Sequence, residues 1–252
     1  MAIAFYTIVH REIRRFTRIW AQTLLPPAIT MTLYFIIFGN LIGSRIGEMD
    51  GFDYMEFIVP GLIMMSVITN SYSNVASSFY SAKFQRNVEE MLVSPMPNWL
   101  ILLGYVVGGM ARGIFVGILV TLLSLFFTKL QVHSIGVIAL VIILASMLFA
   151  TGGFINAMLA NSFDDISIVP TFILTPLTYL GGVFYSIALL PGFWQGVSQL
   201  NPILYMVNTF RYGILGVSDI NVVTALAVSA LFSAVLFGVA LNMLNRGKGI
   251  RH

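Results

Sequence analysis

Six apolar blocks, each about as long as a bilayer crossing, leave this chain few ways to fold. They fall at about 20–42, 57–80, 99–127, 135–160, 166–184 and 222–244. A hydrocarbon core takes roughly 20 residues of helix. Inside lipid a chain must pair its own backbone N–H and C=O groups, so the blocks are expected as helices. Composition agrees: 58% of the 252 residues are hydrophobic and 9% are charged. That leaves too little polar surface to clothe a soluble domain of this size. The expected fold is an all-α polytopic membrane protein with six transmembrane helices, residues 1–252 forming one domain without an internal repeat. No cysteine is present, hence no disulfide framework and no thiolate metal site.

The first 19 residues pattern as an amphipathic helix. Phe5, Ile8, Val9, Ile13, Phe16 and Ile19 share one face, with Arg11, Arg14, Arg15 and Arg18 on the opposite arc. These arginines stand where a cleavable signal peptide would have its apolar core. A basic amphipathic helix of this kind is expected in the membrane surface, its cations against anionic headgroups. Glu12 breaks the pattern. It is expected either to pair with Arg15 or Arg18 one turn away, or to contact a spanning helix or a cytoplasmic partner.

Polar residues inside the blocks are the next signal. Ser66, Asn70, Ser73 and Ser77, with Asn74 beside them, form a stripe on the second block that lipid would not solvate. Either interhelical hydrogen bonding or a water-accessible path would account for it. Arg112 lies near the middle of the third block, and backbone carbonyls or a helix C-terminus are its expected partners. The same block repeats Gly104/Gly108 and Gly109/Gly113/Gly117 at four-residue spacing, which permits close helix approach. Pro26-Pro27, Pro170 and Pro176 predict bends in the first and fifth blocks, and Asp164-Asp165 suits the start of the fifth helix.

Three connections are unusual. Residues 43–56 form an acidic loop with Glu48, Asp50, Asp53 and Glu56. Within the polar break 81–98, Phe84, Val88, Met91 and Leu92 are spaced for one face of a short helix that Ser94-Pro95-Met96-Pro97 ends. A solvated loop has no need of that face; a docking element has. Residues 185–220 are too broken to span and too apolar for an ordinary loop, so two short interfacial helices are expected, Asn201 capping the second and Pro202 opening it.

Orientation follows from the cations. With both termini inside, Arg11, Arg14, Arg15, Arg18, Lys83, Arg86, Arg246, Lys248 and Arg251 are cytoplasmic, against Arg45, Lys129 and Arg211 outside. Chemistry is sparse. No P-loop, HExxH or Gly-x-Ser-x-Gly motif occurs, the histidines (His10, His133, His252) are scattered, and every acid sits at a boundary or loop, so an enzyme is disfavoured. An ion-coupled carrier or channel is the alternative transporter reading, weakened because Arg112 stands alone as an intramembrane charge.

Arg11-Glu12 within the basic helix, the stretch AKFQRNVEEMLVSPMP, and the segment PTFILTPLTYLGGVFYSIALLPGFWQGVSQLNPILYMVNTFRYGILG together resemble the permease subunits of ABC-2 type transporters, which are mostly exporters. The resemblance covers nearly the whole chain. It implies a type V exporter-like fold, with a coupling helix in 81–98 and re-entrant extracellular helices in 185–220. It implies a second copy of the chain, two copies of a separate ATP-binding-cassette ATPase carrying MgATP, surrounding membrane lipids and a bacterial inner membrane, with no nucleic acid and no cofactor in this chain. Lys83, Phe84, Arg86, Val88, Glu89, Glu90, Met91 and Leu92 would then meet the ATPase, with Glu12 as a second contact. The translocation path would be lined by the first, second and fifth spans, with Ser66, Asn70, Ser73, Ser77, Phe172 and Tyr179 as candidates. Phe184, Tyr185 and Trp194 would shape the outer exit; Arg112, by its own position in the third block, is expected as a structural charge or, alternatively, a substrate contact.

Overall fold

The computed structural model describes residues 1–249, Asn40 through its backbone alone; Arg251 and His252 lie outside the described residues. Helix α1 is Ala2–Arg18. After Ile19, α2 (Trp20–Tyr34), a π-helical stretch (Phe35–Ile42) and α3 (Gly43–Ile46) make one uninterrupted rod, Trp20–Ile46, which runs through Pro26 and Pro27. The acidic loop that follows holds a hairpin, β1 (Glu48–Met49) against β2 (Phe52–Asp53), pairing Glu48 with Asp53 and Met49 with Phe52. Its turn residues Asp50 and Gly51 both have positive φ, 52° and 81°. Asp-Gly suits such a turn because both positions tolerate the left-handed region.

The Asp53 carboxylate accepts from Met55 N–H and so caps α4 (Tyr54–Phe84). At 31 residues, α4 is about 46 Å long, enough to cross and project beyond the bilayer. Then come α5 (Asn87–Val93), α6 (Asn98–Ser124) and α7 (Ile135–Leu159). Next are α8 (Phe163–Val169), a second π stretch (Pro170–Leu174) and α9 (Thr175–Leu180). Last are α10 (Gly192–Gln199), α11 (Pro202–Leu215) and α12 (Val222–Asn245). As expected, Asn201 accepts from Ile203 N–H at the head of α11, with Pro202 its first residue.

Five of these stretches are long and apolar enough to cross a membrane: Trp20–Ile46, Tyr54–Phe84, Asn98–Ser124, Ile135–Leu159 and Val222–Asn245. The sixth expected block is instead the three-part helix 163–180, about 27 Å long. Its start is sharply defined: Ser162 Oγ accepts from Asp165 N–H while the Asp165 carboxylate accepts from Ser162 N–H, a reciprocal capping box. Its middle widens because Pro170 supplies no N–H donor, and the Thr175 N–H reaches back five residues to the Pro170 carbonyl. It stops early at Gly181, where Gly182 at φ 72° turns the chain.

Helix α4 is the centre of the bundle, packed against α6, α7 and α11. The glycines of α6 are why it fits. On one face Gly109, Gly113 and Gly117 receive Val75, Ser71 and Val67 of α4; a Cβ on Gly117 would sit 2.6 Å from Val67, and one on Gly113 would overlap Ser71. On the adjoining face Gly104 and Gly108 receive Ile8 and Glu12 of α1, and Gly153 of α7 lies on the Tyr72 carbonyl. Small residues at successive turns let backbones approach and gain dispersion contact along their length. The chief open strip on α4 is Met65, Thr69, Ser73 and Ser77, spaced four residues apart.

On helix α1, Ile8, Glu12 and Phe16 are buried against the bundle, chiefly α6, while Ile13 and Ile19 of the expected apolar face are exposed. Gly113→Leu should therefore cost about 1–3 kcal/mol of stability or prevent folding. Gly136→Leu, whose Cβ would meet nothing within 4 Å, should be neutral. The fraction of purified protein still monodisperse after a temperature series measures both.

Candidate docking face and membrane polar cluster

The short helix α5, the candidate docking element, is held from one side only. Arg86, at φ 62° in the left-handed region, turns the chain from the end of α4 into α5. Val88 is then wholly buried in the chain's own core, and Met91 and Leu92 pack half-buried beside it. Of these three expected partner anchors, Val88 is taken up by the chain's own core, and Met91 and Leu92 keep part of their surface open. Lys83 is also engaged at home. Its ammonium donates to the carbonyls of Met158 and Ala160, 2.7 and 2.8 Å away, which closes the C-terminal end of α7. The face left outward carries Phe84, Arg86, Glu89, Glu90 and Val93, and Val93 is 88% exposed. Phe84 lies against Phe163 of α8, ring centroids 5.4 Å apart.

The second site lies where α1, α4 and α6 meet. Glu12 is buried against Gly108, with Arg11 at 3.5 Å and Arg15 at 3.6 Å from its carboxylate oxygens. Glu12 thus pairs as its spacing allowed, and it presents no surface to a second protein, contrary to its expected role as an ATPase contact. Arg11 also donates to the Tyr105 hydroxyl at 2.6 Å. Arg15 turns inward and donates to both the carbonyl and the side-chain oxygen of Asn74, at 2.9 and 2.8 Å. Burial pushes the Arg15 guanidinium below its ordinary pKa, and the Glu12 carboxylate opposes that. Of the four amino-terminal arginines, only Arg14 and Arg18 have neither bond nor burial and are free to face headgroups. Arg112 donates to the Asn70 side-chain oxygen at 3.3 Å, so its partner is an amide of the α4 stripe rather than the expected backbone carbonyl. The stripe divides accordingly. Ser66 is buried and bonded to Leu62, Asn70 is buried at Arg112, and Ser73 and Ser77 remain half-open.

Ser73 and Ser77 line a cleft of about 360 Å³ with Tyr72 on one side and Ile166, Ser167 and Pro170 on the other. Phe172 and Tyr179 are exposed along the same three-part helix. Towards the other end, Phe184 sits among Phe38, Tyr179 and Tyr34, with centroids 4.9, 5.8 and 6.0 Å away, and the Tyr185 hydroxyl donates to the Tyr179 carbonyl at 2.9 Å. Trp194 instead pairs with Phe193 on α10, at 5.4 Å. The chain matches the ABC-2 type transporter family model over residues 3–215. This protein belongs to that family.

Among its relatives, this ABC-2 chain is 62% identical to the inner membrane transport permease YadH of Escherichia coli (strain K12), over 99% of this chain and 97% of the other. It is 25% identical to nodulation protein J of Rhizobium leguminosarum bv. viciae, over 85% of this chain and 83% of that one. The likeness to YadH spans nearly the whole chain, α5 and the α1–α6 contact included.

The site residue that sequence reading missed is Arg211. Expected as an exposed outer cation, it is buried in the ABC-2 bundle. It donates to the carbonyls of Gly182 (2.6 Å) and Phe57 (3.4 Å), its guanidinium 3.9 Å above the Phe57 ring. It ties α11, the turn after α9 and the head of α4 together. Its helical spacing in α11 gave no sign of this, because the two carbonyls come from distant segments. At the inner site, Glu12→Leu should leave Arg11 and Arg15 facing each other without a counter-charge. The expected cost is on the order of 3 kcal/mol, seen as earlier heat-induced loss of monodisperse protein, while Arg14→Ala should leave the profile unchanged.

Proposed function

We propose that this chain is the membrane permease of an ATP-driven exporter in a bacterial inner membrane. It would work as a homodimer with two copies of a separate ATP-binding-cassette ATPase, similar to the one called YadG, which binds MgATP and supplies the energy. One observation carries the reading. The outward face of α5 holds Glu89, Glu90 and Val93, continued by Phe84 at the end of α4 and Arg86 in the turn, while its inward face is bolted to the most buried helix of the bundle. A push on that outer face has a stiff element to act on. Val88 passes it to the core, and Lys83 links the tail of α4 to the end of α7, so α4, α6 and α7 would move as one body. The helices packed least tightly around that body, Trp20–Ile46 and the three-part helix 163–180, would then change their spacing against the partner copy. The path runs, on this reading, along Ser73, Ser77 and the cleft beside Pro170, with Phe172 and Tyr179 on its far wall and Phe184 and Tyr185 at its outer end. Both termini and α5 are cytoplasmic, and 163–180 completes six crossings.

Support comes from family membership and from the identity to YadH, which is itself named an inner membrane transport permease. The double variant Glu89→Ala, Glu90→Ala should reduce ATPase capture by at least tenfold while leaving the purified permease folded. Because the chain has no cysteine, Gln85→Cys introduces the sole thiol, and it should react with an impermeant maleimide only from the cytoplasmic side. Full capture by the double variant, outside labelling of the thiol, or gradient-driven flux in liposomes holding this chain alone would each overturn the reading.

A further inference from the structure

At the junction of α1, α4 and α6, donors outnumber acceptors. Two guanidiniums, Arg11 and Arg15, share the Glu12 carboxylate, and a third, Arg112, stands beside Arg15 with only the Asn70 side-chain oxygen as partner among the described residues. Arg112 lies within electrostatic reach of Arg15, and the two repel. Two buried N–H groups there have neither a hydrogen-bond partner nor an ion-pair partner among the described residues: Arg112 Nε and Asn74 Nδ2. Asn74 is fully buried, held by Arg15 on its oxygen side, so its amide N–H group has no freedom to turn outward. Glu12 Oε2 is taken up by Arg15 Nε, which it faces at 3.6 Å, so it has nothing to offer Arg112 or Asn74. Buried donors without acceptors and cations without counter-charge are costly together, and one species answers both. The junction is also reachable: the Arg15 side chain is 32% exposed, Arg112 is half-buried, and Ser73, Ser77 and exposed Thr69 continue from it along α4.

We propose that this junction binds a phosphate-class oxyanion, held between the Arg15 and Arg112 guanidiniums with the Asn74 amide as a third donor. A planar guanidinium presents paired N–H groups to such an anion, and several acceptor oxygens satisfy several donors at once. The anion can be the headgroup of a phospholipid that enters along the open strip of α4, or free phosphate from solution. The site belongs to the permease alone and does not rest on its pairing with an ATPase.

The test uses the full-length permease in detergent, by native mass spectrometry after exposure to phosphatidylglycerol or phosphatidylcholine, and by heat resistance with and without inorganic phosphate. A lipid source predicts that the unaltered chain retains phosphatidylglycerol at least tenfold better than Arg112→Gln, with phosphatidylcholine retained poorly by both. A free-anion source predicts that phosphate raises the heat resistance of the unaltered chain but not of Arg112→Gln. Arg112→Lys, which keeps the charge, should stay within about threefold of the unaltered chain. Should Arg112→Gln fail to fold, Arg15→Gln reads the same site from α1. Retention that does not distinguish the two lipids or the variants, together with no phosphate effect, overturns the proposal.

Discussion

Everything in this bundle depends on how closely α4 and α6 can approach. Each glycine from Gly109 to Gly117 removes a side chain from the contact, so the α4 backbone lies directly on the α6 surface. Bilayer tails are as apolar as leucine, so apolarity alone would not bring these helices together; dispersion contact over many turns does. With α4 drawn in that far, its serines and asparagines are forced to find partners inside the protein. Asn70 takes Arg112, Asn74 takes Arg15, and Ser66 bonds back to its own helix. The polar cluster follows from the tight packing.

The same approach explains the odd position of Glu12. A second pair of glycines, one helix face round, opens a trough on α6 that a basic amphipathic helix can fill. A carboxylate within that trough is tolerable only because two arginines of its own helix close over it. Further out, Arg211 does similar work with carbonyls in place of a carboxylate, binding the outer helices to the head of α4. The two ends of the bundle are each held by guanidiniums from a different stretch of chain, which makes α4 the common beam between them.

How much of this was legible in the sequence varies with the range of the interaction. Local signals were read correctly: the cap at Asn201, the acidic start of 163–180 and the glycine spacing of α6 depend on neighbours a few residues away. The Asp-Gly turn of the hairpin carried the same kind of signal and was read only as an acidic loop. The errors concern which side of a short helix faces home. The pattern Phe84, Val88, Met91, Leu92 identifies an apolar face but not its partner, and three of those four side chains turn to the chain's own core. Arg112 and Arg211 were opaque for a different reason. A buried cation finds whichever oxygen the fold delivers, and here those oxygens lie 29 to 154 positions away.

The wide turns in the two outer rods, Phe35–Ile42 and Pro170–Leu174, have a mechanical meaning. A π turn contains one residue more than the α turn it replaces, and that surplus can migrate along a helix as successive hydrogen bonds switch from five-residue to four-residue closure. Each residue it passes advances by about 1.5 Å and swings by about 100° around the axis. A rod with such a slack turn can twist one end relative to the other while keeping its ladder nearly intact. Pro170 and Thr171 line the cleft beside Ser73 and Ser77, so that wall can swap the side chains it presents without the helix having to melt.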